Sequence, residues 1–226
     1  MTLIDFSHVY RDGMIVGGDL RKPHFRQRQA SHAPGGVPIL LTEFELASHA
    51  GTHVDAPRHF DPHGPAMDDL PLEAFSGPAV LSQVHRAAGQ PITQGDIVAG
   101  GPKPSPGDML LIRTGWGRHY AADDEQAYRD YPHVDEEAAE WMVRSGIKLL
   151  ATDTMSPDLP ASRRPPGFSF PVHRRLLGSG VLIAENLNLE LANPGHYEVF
   201  AFPLCITSGD GGPARIVGRP LAATTT

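Results

Sequence analysis

Cysteine is nearly missing from this 226-residue sequence, Cys205 being the single one. No internal disulfide framework can therefore brace the fold. Cys205 stands in the apolar run Phe200–Ile206, which predicts a buried structural thiol rather than a reactive one. Long apolar runs are missing too, and nothing approaches the roughly 20 residues that cross a bilayer. The first residues, MTLIDFSH, lack the basic start and apolar stretch of a secretory leader, so the cytoplasm is the expected location. Positive charge is scarce: the net charge is −7 and no basic run exceeds Arg163–Arg164 or Arg174–Arg175. Nucleic acid and anionic membranes need a concentrated positive face, so neither is expected as a partner. Repeats are absent, and the only low-complexity stretch is the terminal TTT, within a tail over 222–226 expected to fray.

What is present describes a globular chain, with 40% hydrophobic and 20% charged residues and enough length for one substantial core. Its 24 glycines and 22 prolines predict many turns and irregular loops, where sites tend to be built. Val37–Leu46, Val80–Val84, Met109–Arg113, Ile147–Ala151, Val181–Ala184, Tyr197–Ile206 and Ala214–Val217 read as strands. Asp135 has the character of an N-cap, followed by Glu136 and Glu137, with Arg144 near the end and Gly146 as the stop, so a helix is predicted between them. Pro171–Leu177 reads as a shorter helix closed by Gly178. The expectation is one α/β domain over 1–226, with an irregular, mostly β core and a few flanking helices.

Histidine is the abundant polar residue, with twelve copies, and four potential ligands or proton carriers crowd into HAGTHVDAPRH at 49–59. Gly51, Thr52, Val54 and Pro57 argue against a helix there. In an extended chain His53 and Asp55 point to the same side, and Gly51 allows a turn that brings His49 to join them. Two imidazoles and a carboxylate suit Zn, Mn or Fe and leave positions open for water or substrate. The residues alone also admit a hydrogen-bonded surface cluster or a structural metal site. Glu185, ending an apolar strand, and His173, on the short helix, each read in isolation as solvent-facing. His24, His32, His63, His85, His119 and His133 lie in polar surroundings with no chemical partner in view. Asp153 and Asp158 read as loop-holding or capping carboxylates.

The segment 49–59 closely resembles the His-x-Gly-Thr-His-x-Asp-x-Pro-x-His signature of the cyclase-like metal hydrolases, which include bacterial kynurenine formamidases and isatin hydrolases. IDFSH at 4–8, LIRTGW at 111–116, ATDTMSPD at 151–158 and DGGPAR at 210–215 resemble further elements of that family, spread over nearly the whole chain. The resemblance implies a swivelling β/β/α fold and a homodimer or homotetramer. It implies His49, His53 and Asp55 as ligands of a first metal, His59 as the catalytic histidine, and His173 and Glu185 as further ligands. Asp55 then bridges where two ions bind, and His8 and His196 lie in segments near the site. A divalent metal, Zn or Mn, as one or two ions, is the expected cofactor, and a small molecule the expected substrate.

The chemistry so implied is hydrolysis of a small amide, formamide or lactam. A bound divalent ion lowers the pKa of water from about 15.7 towards 7 and polarises a carbonyl, while His59 carries the proton to the leaving nitrogen. Two other readings share the scaffold: metal-dependent cyclisation or dehydration, and metal or small-molecule binding without catalysis. The segment at 12–19, DGMIVGGD, lacks the aromatic residue that formamidases of the family carry. The Pro-rich ASRRPPGFSF at 161–170 also departs from their pattern and is expected to form a distinct substrate wall.

Overall fold

In four short strands, neighbouring residues take opposite sides of one sheet. Ala79 and Leu81, Met109 and Leu111, Leu149 and Ala151, and Leu182 and Ala184 belong to one core, whereas Val80, Leu110, Ile112, Leu150 and Ile183 belong to another. That is the period-two alternation of a strand whose two faces are both covered, and it explains why these stretches read as continuous apolar runs. The computed structural model describes residues 2–30, 36 and 38–221.

In chain order the strands are β1 (Ile4–Asp5), β2 (His24–Ala30), β3 (Ile39–Glu45), β4 (His53–Asp55), β5 (Ser76–Gln83), β6 (Pro91–Ile92), β7 (Met109–Arg113), β8 (His133–Val134), β9 (Leu149–Thr152), β10 (Leu182–Glu185), β11 (Gly195–Phe200), β12 (Gly211–Pro213) and β13 (Val217–Pro220). The helices are α1 (Gln94–Gly100), α2 (Gly117–Ala121), α3 (Glu125–Tyr128), α4 (Glu136–Ser145) and α5 (Pro171–Leu177). Among the described residues the main sheet runs β1-β13-β11-β5-β7-β9-β10-β4-β12. Its centre, β5-β7-β9-β10, is parallel, and both flanks are antiparallel. Parallel neighbours need crossover connections, and α1, α4 and α5 supply them, burying Ile97, Ala138, Ala139, Trp141, Met142, Val172, Leu176 and Leu177 against one face. The other face is covered by the sheet's own flanks curling over it: Val54, Tyr197, Val199 and Phe6 share a core with the central strands. The fold is therefore α/β with a mostly β core, in β/β/α layers.

Local chemistry explains the element ends. The Asp135 side chain accepts from the Ala138 N–H at 2.7 Å, a cap worth about 1 kcal/mol, and Gly146 closes α4 in the left-handed region at φ 71°. Thr93 and Asp96 form a reciprocal capping box at α1. Three expectations are corrected. Cys205 is exposed, not buried, because β11 ends at Phe200 and the chain beyond it runs over the surface, with Phe202, Leu204 and Ile206 exposed as well. The strand expected at Ala214–Val217 is instead two, β12, which ends at Pro213, and β13, which begins at Val217. The strand expected from Val37 starts, among described residues, at Ile39 and pairs with β2 in a separate two-stranded sheet, with its side chains exposed. Val37 and the expected fray at 222–226 lie outside the described residues.

Candidate metal centre

Strand register assembles the centre. β4 pairs antiparallel with β10 so that His53 lies opposite Glu185, and directly opposed side chains share a face. Asp55, two residues along, shares that face too, and its Oδ1 is 3.2 Å from His53 Nε2. Glu185 Oε2 is 3.4 Å from the same nitrogen. His173 enters from α5, with Nε2 3.1 Å from Glu185 Oε1 and 3.6 Å from Asp55 Oδ2. Gly51, at φ 65°, turns the chain as expected and lets His49 Nδ1 reach Asp55 Oδ1 at 2.7 Å. A Cβ at Gly51 would overlap Met14 Cε, so a larger residue would strain the backbone and also displace the buried Met14 side chain. His59 ends a 3-10 turn at Pro57–His59, its ring centroid 3.9 Å from that of His49.

All six residues thus meet at the end of β10, outside the carboxyl ends of the parallel strands, where open α/β sheets hold ligands. Glu185 and His173 are buried, so neither is the solvent-facing residue it suggests in isolation. Hydrogen bonds fix what the buried rings present. His53 Nδ1 donates to the Gly51 carbonyl at 2.7 Å, which leaves Nε2 as a lone-pair donor. His173 Nδ1 lies 2.6 Å from Asp158 Oδ2 and likewise presents Nε2. Such partners orient the imidazoles of metal sites. At the far side of Glu185, Asn186 adopts φ 57°, pinned by Thr52 Oγ1 donating to its carbonyl at 2.6 Å and Tyr128 Oη donating to its Oδ1 at 2.8 Å.

The donor set fits a cation. His53 Nε2, Asp55 Oδ2 and Glu185 Oε1 are buried and have no well-aligned hydrogen-bond partner, a costly state for three polar atoms in one place. One atom each from His53, Asp55 and Glu185 lies within 4.8 Å of the others, and His49, Asp55 and His59 form a second such group. Asp55 belongs to both. Burial opposes ionisation of Asp55, but His53, His49 and His173 outweigh it and hold the carboxyl well below its usual range. Burial likewise opposes protonation of His173 and His49. Asp158, Asp55 and Glu185 raise His173 well above the usual imidazole value, and Asp55 and Asp210 raise His49 to about 10. The site concentrates negative charge, which a bound cation would neutralise.

Two carboxylates take a larger part than the sequence suggests. Asp158 accepts from the Val172 and His173 N–H groups at 3.1 and 3.0 Å, the capping role expected, and in addition holds the His173 ring. Asp210 Oδ2 lies 2.9 Å from His49 Nε2 and 3.5 Å from His59 Nδ1, and those histidines hold it below its usual range. The available signal was the pair of glycines after it, since a Cβ at Gly211 would fall 2.6 Å from His49 Cε1. Asp153 ties the ends of β7 and β9, accepting from Thr114 N, Thr114 Oγ1 and Gly115 N at 2.6–3.0 Å. A cavity of about 430 Å³ opens over the centre, with His49, His59, His173 and Glu185 at its base and Phe60, Phe170, Tyr131 and Met155 among its walls. His24, His63, His85, His119 and His133 do not line it, and His32 lies outside the described residues. Nor do His8, which burial lowers to about 4, and His196 in β11.

The family model described as "Putative cyclase" matches residues 4–159. This chain belongs to the cyclase family. A kynurenine formamidase from Salinibacter ruber is 35% identical to the cyclase-family chain over 181 residues, covering 80% of each. One from Bordetella pertussis is 31% identical over 218 residues, covering 95% of each. Isatin hydrolase A from Labrenzia aggregata superposes with a TM-score of 0.81 at 23% identity, over 98% of this chain and 94% of that one. A structure described as a potential metal-dependent hydrolase with cyclase activity gives a TM-score of 0.75 at 25% identity, over 96% of each chain. Among the described residues no helix is long and apolar enough to cross a membrane.

Proposed function

We propose that this cyclase-family chain is a metal-dependent hydrolase of C–N bonds in small amides, formamides or lactams, with His49, His53, Asp55, His173 and Glu185 holding the metal and His59 carrying the proton. One observation carries the reading: three unpartnered buried donors, His53 Nε2, Asp55 Oδ2 and Glu185 Oε1, converge beneath a cavity that His59 also lines. The imidazole and carboxylate set would suit Zn or Mn, as one ion or two, Asp55 being common to both clusters of candidate donors. When bound, a divalent ion supplies Lewis acidity towards a substrate carbonyl and makes water more acidic.

The chain's own residues do the rest. Asp210 faces His59 Nδ1, which leaves Nε2 as the atom turned to chemistry. As water adds to the carbonyl carbon and the C–N bond breaks, His59 Nε2 takes the water's proton and returns it to the departing nitrogen. Phe60 and Phe170, with ring centroids 5.5 Å apart, offer apolar walls for an aromatic ring. The relatives' names point to a formamide of kynurenine and to isatin, and both present a carbonyl bonded to the nitrogen of an aromatic amine.

The exposed β2–β3 hairpin carries Leu40 and Phe44, 68% and 57% exposed, and a two-stranded sheet of this kind is marginal alone. That supports assembly as a homodimer through the hairpin, and an exposed lone Cys205 suits a reducing compartment such as the cytoplasm. The test of function is hydrolysis of N-formylkynurenine and isatin with and without chelator, followed by Zn or Mn add-back. Chelator-sensitive turnover of either supports the reading; turnover indifferent to the chelator refutes it.

A further inference from the structure

Among the described residues, one cation in the cavity wall is left without a counter-charge. Two arginines line the cavity. Arg129 is committed to Glu125, with Nε and Nη2 at 3.0 and 2.6 Å from Oε1, and to the Val16 carbonyl at 3.0 Å. Arg164 is different. Its Nε donates to the Leu159 carbonyl at 2.8 Å, and its guanidinium carbon stands 4.5 Å from the Phe170 ring centroid and 5.5 Å from that of Phe168. Among the described residues Arg164 forms no ion pair, whereas its neighbour Arg163 is bound to Asp130 at 2.7 Å. The acids that line the cavity are Asp19, which is exposed, and Glu185, which faces His53 and His173.

We propose that Arg164 is the specificity-determining residue of this pocket and selects substrates that carry a carboxylate on or beside an aromatic ring. The inference rests on the hydrolase reading for the identity of the site, but not for its own test. A half-buried guanidinium matches a carboxylate with two parallel hydrogen bonds, and stacking on Phe170 and Phe168 limits the orientations it can take. Phe170 connects the two ends of the pocket: its ring touches Arg164 and lies 6.2 Å, centroid to centroid, from that of His173. Phe170 is itself held at φ 54° immediately before α5, a conformation that a non-glycine residue keeps only where its surroundings enforce it. Phe170 thus marks a wall whose local conformation its surroundings impose. It also falls in the Pro-rich segment 161–170, where the sequence departs from the formamidases it otherwise resembles.

The test is calorimetric binding of 2-aminobenzoate and its methyl ester to the protein as purified, for wild type, Arg164→Met and Arg164→Lys. Wild type is expected to bind the acid at least about tenfold tighter than the ester, the scale of a charge-assisted contact. Arg164→Met removes that preference and leaves ester affinity within about twofold. A preference that survives in Arg164→Met, or none in wild type, overturns the proposal. If Arg164→Met does not fold by circular dichroism, Arg164→Lys decides: it keeps the charge but loses the fork, and weakened acid binding with unchanged ester binding is expected. Unchanged acid affinity in that variant overturns the assignment. Preference for the acid with no hydrolysis of any amide would remove the hydrolase reading and leave Arg164 in its role.

Discussion

Replacing Asp158 separates two jobs done by one carboxylate. Its oxygens accept from the Val172 and His173 N–H groups at the start of α5, and Oδ2 also orients the His173 ring at 2.6 Å. Asp158→Asn keeps an acceptor for one of the two backbone N–H groups, turns an NH2 towards the other, and removes the anion that fixes the imidazole. Loss of such an outer partner weakens metal binding by about 10–100-fold, or about 1.4–2.8 kcal/mol, and the metal-free protein loses about 1–3 kcal/mol for the one N–H left without an acceptor, less than Asp158→Ala loses. Asp158→Ala removes both functions and strands buried N–H groups at about 1–3 kcal/mol each, so it loses stability as well as affinity. Competition with a chromophoric zinc chelator reads the first quantity, and thermal unfolding followed by circular dichroism reads the second. Wild-type zinc affinity in Asp158→Asn would refute the argument that His173 is a ligand held by Asp158.

Other consequences follow from the same geometry. His59→Ala should lose about 10²–10⁴-fold in turnover with metal content retained, checked by kinetics and elemental analysis on one preparation. Gly51→Ala should cost about 2–5 kcal/mol in urea unfolding, because it adds a left-handed penalty of about 1–2 kcal/mol to overpacking of about 1–3 kcal/mol against Met14. Asp96 is held below its ordinary 3.8: burial opposes this, but Thr93 and the Arg86 guanidinium outweigh it. A depressed folded-state pKa gives stability that is fully present above 3.8 and lost as pH falls through the folded value. Asp96→Asn should therefore be less stable than wild type near neutrality, and the gap should close below about pH 4, as urea midpoints taken across that range would show.

The sequence made the central strands legible because continuous apolar runs bounded by Gly and Pro are what doubly covered parallel strands look like, and Met109–Arg113 is β7 to the residue. α4 was readable from its ends alone, through Asp135 and Gly146. The grouping of His49, His53 and Asp55 followed from strand alternation and one glycine. Register across β4 and β10 was not readable, and it is register that sets Glu185 beside His53, 132 positions distant in number (185 − 53). Asp158 and Asp210 were obscure for the same reason: their partners lie 15 and 161 residues away. β2 escaped notice because HFRQRQA has no apolar face to reveal a strand, and Phe200–Ile206 misled because its apolar residues imply burial that the end of β11 denies them.

The most direct test of the metal centre is the metal content of extensively dialysed protein, wild type beside Asp55→Ala, since Asp55 is shared by both clusters of candidate donors. The ligand assignment requires one or two equivalents of Zn or Mn per chain in the wild type and their loss in a variant that still folds. A folded wild-type protein that takes up no divalent metal, or an Asp55→Ala protein that keeps the full complement, would contradict it.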